Sequence, residues 1–213
     1  MHVSRQQNES SVSATRGPRA RTRKLMLETA TRLMQSGVTP SVSEVAEAAE
    51  VSRATAYRYF PSQAALVHAV VDEALGPILD WTSDSPDAGA RVTDLLATAM
   101  PRIDAFEATF RAALKLSLDQ WAQRQAGTLG NEPRFTRGHR VELLRDATAP
   151  LAETVPAGAR ERLAQALSLV FGVEVLIVLK DIWGLSLDEA QSVAGWAATA
   201  LVDAAVREAG DGT

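Results

Sequence analysis

Between Ser52 and Phe60 the chain sets Arg53, Thr55, Tyr57, Arg58 and Tyr59 close together, and every one of these side chains donates hydrogen bonds. A guanidinium fork can grip a guanine edge or a phosphate through two parallel bonds, and hydroxyls hold single phosphate oxygens. Such groups are useful only if they project from one rigid surface. The sequence supplies that surface as two short helices joined by a tight turn. Ser41 followed by Glu44 is a capping box that opens the first helix, whose inner face is Val45, Ala46 and Ala49. Short side chains there allow two helices to cross steeply over a turn of about three or four residues. Val51 fills the corner, Ser52 caps the second helix, and Ala56 and Phe60 are left to face inward. The alternative is a solvated helical hairpin in which arginine and tyrosine only cover the core.

The stretch from Arg19 to Val70 resembles the amino-terminal domain of the TetR family of bacterial transcription regulators. The resemblance rests on an amphipathic helix ending at Ser36-Gly37, the Ser41-Val-Ser-Glu-Val-Ala46 segment, the run Val51-Ser-Arg-Ala-Thr-Ala-Tyr-Arg-Tyr-Phe60, and Pro61-Ser-Gln63 before a fourth helix. It implies DNA contacts from Arg53, Ala54, Thr55, Tyr57, Arg58 and Tyr59, joined by Arg23, Ser43 and Gln63. Arg53 is the candidate base reader, and the hydroxyl-bearing residues and Gln63 are candidates for phosphates. Two positions depart from the pattern. Glu50 stands where glycine is common, and since a non-glycine residue at positive φ costs roughly 1–2 kcal/mol, either the turn tolerates that strain or its geometry differs slightly. Gln63 replaces a frequent lysine, so a phosphate contact there is neutral.

Charge is divided along the chain. Residues 1–68 hold nine Lys or Arg against five Asp or Glu, a net of +4, while the remaining residues carry 13 against 21, a net of −8, which recovers the overall −4. A mildly acidic protein can bind DNA when its positive charge is gathered at one end. There is no cysteine, so disulfides and thiolate metal sites are excluded. No stretch approaches the ~18 consecutive apolar residues of a membrane span, and the polar, serine-rich start has no apolar centre that a signal peptide requires. A cytoplasmic, cofactor-free protein is expected. His2, His68 and His139 are isolated and no glycine-rich phosphate loop occurs, which argues against an enzyme.

The periodicity predicts an all-α fold of about nine helices: a disordered tail over 1–18, a helix-turn-helix domain over 19–68, and a helical ligand-binding and dimerisation domain over 69–213. Helices are expected over 20–35, from 62 toward Trp81, and over 87–100 with Ser85 as cap and Pro86 in the first turn, then over 102–124, 136–153, 157–183 and 187–208, with Ser186 and Glu189 forming a second capping box. The last two helices are apolar on more than one side. Leu169, Gly172, Val173, Leu176 and Trp183 on one, and Val193, Ala197, Ala200, Leu201 and Ala204 on the other, suit a four-helix interface with a second copy.

Glu174 is anomalous between Val173 and Val175. It is expected either to face a ligand cavity and recognise a donor or cationic group, or to pair with one of Arg137, Arg140 and Arg145. An aromatic stripe, Phe106, Phe110, Leu114, Ser117 and Trp121, recurs at helical spacing, and Trp81, His139, Phe171, Glu174 and Val178 complete the candidate ligand-binding set. Such a stripe is more often core than pocket. The family resemblance implies an unknown small-molecule effector, a double-stranded DNA operator and a homodimer, with repression as the family default. The competing reading is a helical dimeric interaction module whose helix pair binds no DNA.

Overall fold

The computed structural model describes residues 17–211. Residues 1–16, most of the tail expected to lack order, lie outside the described residues, as do 212 and 213. The described residues are all-α, with ten α-helices and no strand among them. They divide into two compact units, one of residues up to Val71 together with Ala112–Phe135, the other of Asp72–Arg111 together with the residues from Thr136 onward.

The first unit contains α1 (Pro18–Gln35), α2 (Val42–Ala48), α3 (Arg53–Tyr59), most of α4 (Gln63–Leu75) and most of α6 (Glu107–Gln125). Proline opens α1, where its missing N–H is no loss. The helix stops at Gly37, whose φ of +83° lets the N–H groups of Gly37 and Val38 reach back to the carbonyls of Met34 and Leu33. Met26, Ala30 and Met34 of α1, Val45 and Ala46 of α2, Ala56 of α3, and Leu66 and Val67 of α4 are fully buried. Gln120 is also buried and fully used: its Oε1 accepts from the Phe135 N–H at 2.8 Å and its Nε2 donates to the Pro133 carbonyl at 3.1 Å, which pins the chain after α6.

In the second unit α5 (Ala88–Ala105) packs most extensively on α10 (Leu187–Asp211), with α7 (His139–Thr148) against α5 and α8 (Ala157–Leu167) against both α7 and α10. The buried side of α10 is Ala190, Ala194, Ala198, Val202 and Ala205, mostly short side chains that allow close approach of the helix to α5. The expected second capping box is present, with Ser186 and Glu189 exchanging bonds at 2.8 and 3.3 Å.

Several helix boundaries differ from the sequence expectation: α6 starts at Glu107 rather than 102, and the helix expected over 136–153 is α7 (His139–Thr148) followed by a 3-10 turn over Ala149–Glu153. The residue capping α5 is Asp87, which accepts from the Ala90 N–H at 2.6 Å, and the helix runs through Pro101 to Ala105. An internal proline costs about 3 kcal/mol, but Met100 and Ile103 on either side are both buried and hold the helix together. α4 ends at Leu75 because Gly76 (φ +47°) and Pro77 follow, and Arg102 caps its last carbonyls, donating from Nε to Ala74 at 2.7 Å and from Nη2 to Glu73 at 3.2 Å. The long helix expected over 157–183 is broken after Leu167. It resumes as α9 (Val173–Leu176) and then widens into a π-helical turn over Ile177–Ile182. This break supplies the tenth helix.

Gly172 stands at the end of the break, directly before α9. Its φ is +110°, and a Cβ built there lies 2.7 Å from Arg140 Nη2. The π-helical turn is in turn tied down by Lys180, whose Nζ lies 2.5 Å from Asp104 and 2.6 Å from Glu107, two carboxylates that also hold its pKa above the ordinary lysine range. Gly172→Ala is expected to destabilise the protein by about 1–3 kcal/mol, read as a lower denaturation midpoint at unchanged slope in urea. Wild-type stability in that variant contradicts the assignment.

Candidate functional site

The helix pair is assembled by end contacts. At the start of α2 the Glu44 N–H donates to Ser41 Oγ at 3.2 Å and the Ser41 N–H donates to Glu44 Oε2 at 2.7 Å, which holds the Glu44 carboxyl below its usual range. At its end Glu50 takes φ +55°, the one non-glycine residue with positive φ among the described residues. The Val51 N–H then reaches the Ala46 carbonyl at 2.8 Å and the Glu50 N–H reaches Glu47 at 3.1 Å. That is the closing pattern of a helix normally ended by glycine. The turn therefore keeps the glycine geometry and carries the strain. Ser52 caps α3, accepting from the Thr55 N–H at 3.2 Å.

α3 buries only Ala56. Phe60, immediately after it, is buried beneath the guanidinium of Arg23, 5.5 Å from the ring centre. Everything else on the helix is wholly or partly exposed. Arg53, Ala54, Tyr57 and Arg58 are exposed, and Thr55 and Tyr59 are half-buried. Tyr57 places its hydroxyl 3.3 Å from Ser43 Oγ, joining the first turn of α2 to the middle of α3. Thr55 Oγ1 accepts from Ser52 Oγ at 3.0 Å, and Arg58 lies over the Tyr59 ring. Arg53 has no protein partner among the described residues, so its fork is free. The outer surface is thus cationic and hydroxyl-rich, the composition that grips phosphates and base edges.

Gln63 is placed differently from a free phosphate ligand. Its Nε2 donates to the carbonyls of Thr39 at 3.1 Å and Pro40 at 3.2 Å, bracing the approach to α2. Its backbone N–H, at the start of α4, donates to Glu132 Oε1 at 3.1 Å. A carboxylate at a helix amino terminus is favourable. Sequence reasoning missed Glu132 altogether, because the partners are 69 residues apart and no local pattern joins them.

The candidate ligand residues are divided between the units. Leu114 and Ser117 are half-buried and Trp121 is 56% exposed in the first unit. In the second, Trp81 is buried with its Nε1 donating to Asp94 at 2.8 Å and Arg91 over its ring, so its polar edge is already used. Phe106 lies under Arg102, 4.8 Å from the ring centre, and Phe110 and Phe171 are buried. His139 faces Asp72 at 2.8 Å, and Val178 is exposed on the π-helical turn. Glu174 is clamped by two guanidiniums: Arg137 bonds one carboxylate oxygen and Arg140 the other, the latter at 2.7 Å.

A capped helix pair joined by a tight turn and presenting a short polar helix is a helix-turn-helix motif. Residues 26–70 match the profile described as bacterial regulatory proteins, tetR family. No curated protein sequence matches the chain significantly. Among solved structures, a TetR transcriptional regulator from a Rhodococcus species is 22% identical with a TM-score of 0.53, covering 87% of this chain and 97% of its own. A tetR-family transcriptional regulator from Streptomyces coelicolor is 19% identical with a TM-score of 0.60, covering 90% and 86%. Residues 26–70 are a TetR-family helix-turn-helix domain, and the chain has the TetR-like fold.

The strain at Glu50 is directly measurable. Glu50→Gly is expected to raise unfolding stability by about 1 kcal/mol, the relief of a left-handed non-glycine residue less the greater unfolded-state freedom of glycine. A loss of stability in that variant shows that Glu50 contributes something its backbone conformation does not reveal.

Proposed function

We propose that the chain is a ligand-responsive transcriptional regulator of the bacterial cytoplasm, which binds a palindromic operator as a homodimer, represses transcription and is released by a small molecule. The observation that carries this reading is α3: one buried residue, a free Arg53, and a hydroxyl surface continuous with the start of α2, within a segment that matches the tetR family. Arg53 reads a guanine edge. Thr55, Tyr57, Tyr59 and Ser43 hold phosphates and fix the register, with Ala54 and Arg58 beside them and Arg23 at the edge.

Dimerisation is supported by what the second unit leaves outside. Ile182 at the end of the π-helical turn, Trp183 just after it, Leu169 before α9, and Trp196 on α10 are each more than 70% exposed. Large apolar side chains are seldom left out in such number without a partner. The ridge expected on α10, Val193, Ala197, Ala200, Leu201 and Ala204, has no fully buried member, whereas the opposite side of the helix packs on α5. A second copy placed against α10 and the π-helical turn covers these residues, and two copies of α3 then face two half-sites. The effector acts from the second unit, where Phe110 and Phe171 supply apolar groups and the cluster around Glu174 supplies charged ones. It shifts the regulator only insofar as it binds one conformation more tightly than the other.

Three measurements test this. Affinity for operator duplex is expected to fall steeply with salt, as phosphate contacts require; a folded protein that binds no genomic fragment at any salt contradicts DNA binding and favours a plain interaction module. Arg53→Ala is expected to lose about 1–3 kcal/mol of discrimination at one base position, whereas Tyr59→Phe weakens all sites alike; uniform loss in both removes Arg53 as the base reader. Trp196→Glu is expected to convert a dimer to a monomer in sedimentation equilibrium, and an unchanged dimer places the interface elsewhere.

A further inference from the structure

The clamp around Glu174 has one cation too many. Arg137, just before α7, and Arg140, in its first turn, share the single carboxylate, and Arg140 also donates to the Ser168 carbonyl at 3.2 Å where α8 ends. The amino terminus of α7 adds its own partial positive charge at the same place. Neither Glu142, which shares Arg145 with Glu161, nor Asp72, which faces His139, bonds to either guanidinium of this pair. Burial and then the like charge of Arg137 hold the Arg140 guanidinium down at about 10, far below an ordinary arginine.

One donor in the cluster is also unused. Arg137 Nη1 is shielded from solvent and has no hydrogen-bond partner. A buried charged donor without an acceptor is costly, and an acceptor that brings negative charge satisfies both deficits together. Gly172 brings the chain against the cluster so closely that a Cβ there meets Arg140 at 2.7 Å and Glu174 at 3.1 Å. The residues flanking that contact, Phe171, Val173 and Val175, are buried and apolar.

From this we infer that the second unit binds an organic carboxylate, whose carboxyl group pairs with Arg137 Nη1 and completes the Arg137–Glu174–Arg140 cluster while its apolar body lies toward the Phe171 side. The inference rests on the ligand-responsive reading above and gives the effector's chemical class. It also reverses the charge expected from the sequence, where Glu174 alone suggests a cationic ligand. Glu174 is a positioning residue that holds the two guanidiniums side by side.

The test uses the full chain without DNA. Benzoate and hexanoate, with benzylamine and hexylamine as their cationic counterparts, are titrated at constant ionic strength and followed by calorimetry and thermal melting. The carboxylates are expected to bind and raise the melting temperature, and the amines are not. Arg137→Gln is expected to weaken carboxylate binding roughly 10- to 100-fold, the loss of one charged hydrogen bond, and Arg137→Lys to recover part of it. Circular dichroism establishes that both variants are folded. Equal carboxylate affinity in Arg137→Gln, preference for the amines, an equal shift with chloride, or no binding of either carboxylate each overturns the inference. Because nothing here depends on DNA, a failed operator titration leaves this result standing, and failed carboxylate binding leaves the helix-turn-helix reading standing.

Discussion

A helix of seven residues with a single buried side chain cannot sustain itself, since isolated helices shorter than ~12–15 residues are marginal in water. α3 exists because its two ends are held. Ser52 satisfies its first donors, the Schellman-type turn through Glu50 fixes where it starts, and Ala56 and Phe60 seat it on the core of the first unit. Burying so little is what leaves Arg53, Tyr57 and Arg58 available to a partner. The left-handed Glu50 shows how firmly the geometry is imposed, because the turn keeps its shape although the residue opposes it.

The second unit depends on a different constraint, a helix interrupted where continuity looked natural. Gly172 turns the chain, and the charged cluster of Arg137, Arg140 and Glu174 occupies the space the turn creates. Beyond it the π-helical turn is fixed by Lys180 between Asp104 and Glu107, and by Arg111, which bridges Glu107 and Asp181 at 2.5 and 2.7 Å. Ion pairs of this kind contribute little individually when exposed. Here they join segments about 70 residues apart in the chain, so they set position more than stability.

Features set by local chemistry could be read directly from the sequence. The two capping boxes, the Ser52 cap and the inward Ala56 each follow from residues within one turn of each other, whereas for Glu50 the family resemblance leaves open a strained turn or one of different geometry. Features set by distant partners could not. Pro101 signals a break that burial on either side overrides, and the apolar run through 164–179 gives no sign that Gly172 divides it. That Glu174 answers to both Arg137 and Arg140 required knowing that α7 and α9 bring them together. Glu132 at the head of α4, and Asp94 on the indole of Trp81, are likewise products of tertiary structure. Trp196 escaped notice because the small residues around it suggested close packing, whereas the indole stands out from the helix.

The central claim is that two copies of α3 occupy successive major grooves, with Arg53 on a guanine in each. Methylation interference on a selected operator tests it most directly, since methylation at guanine N7 blocks a major-groove arginine contact. Two symmetric sites of interference are predicted about 34–36 Å apart, or at a multiple of that spacing, and the interference at one guanine in each half should disappear in Arg53→Ala. A single asymmetric patch, or a pattern that Arg53→Ala leaves unchanged, would contradict it.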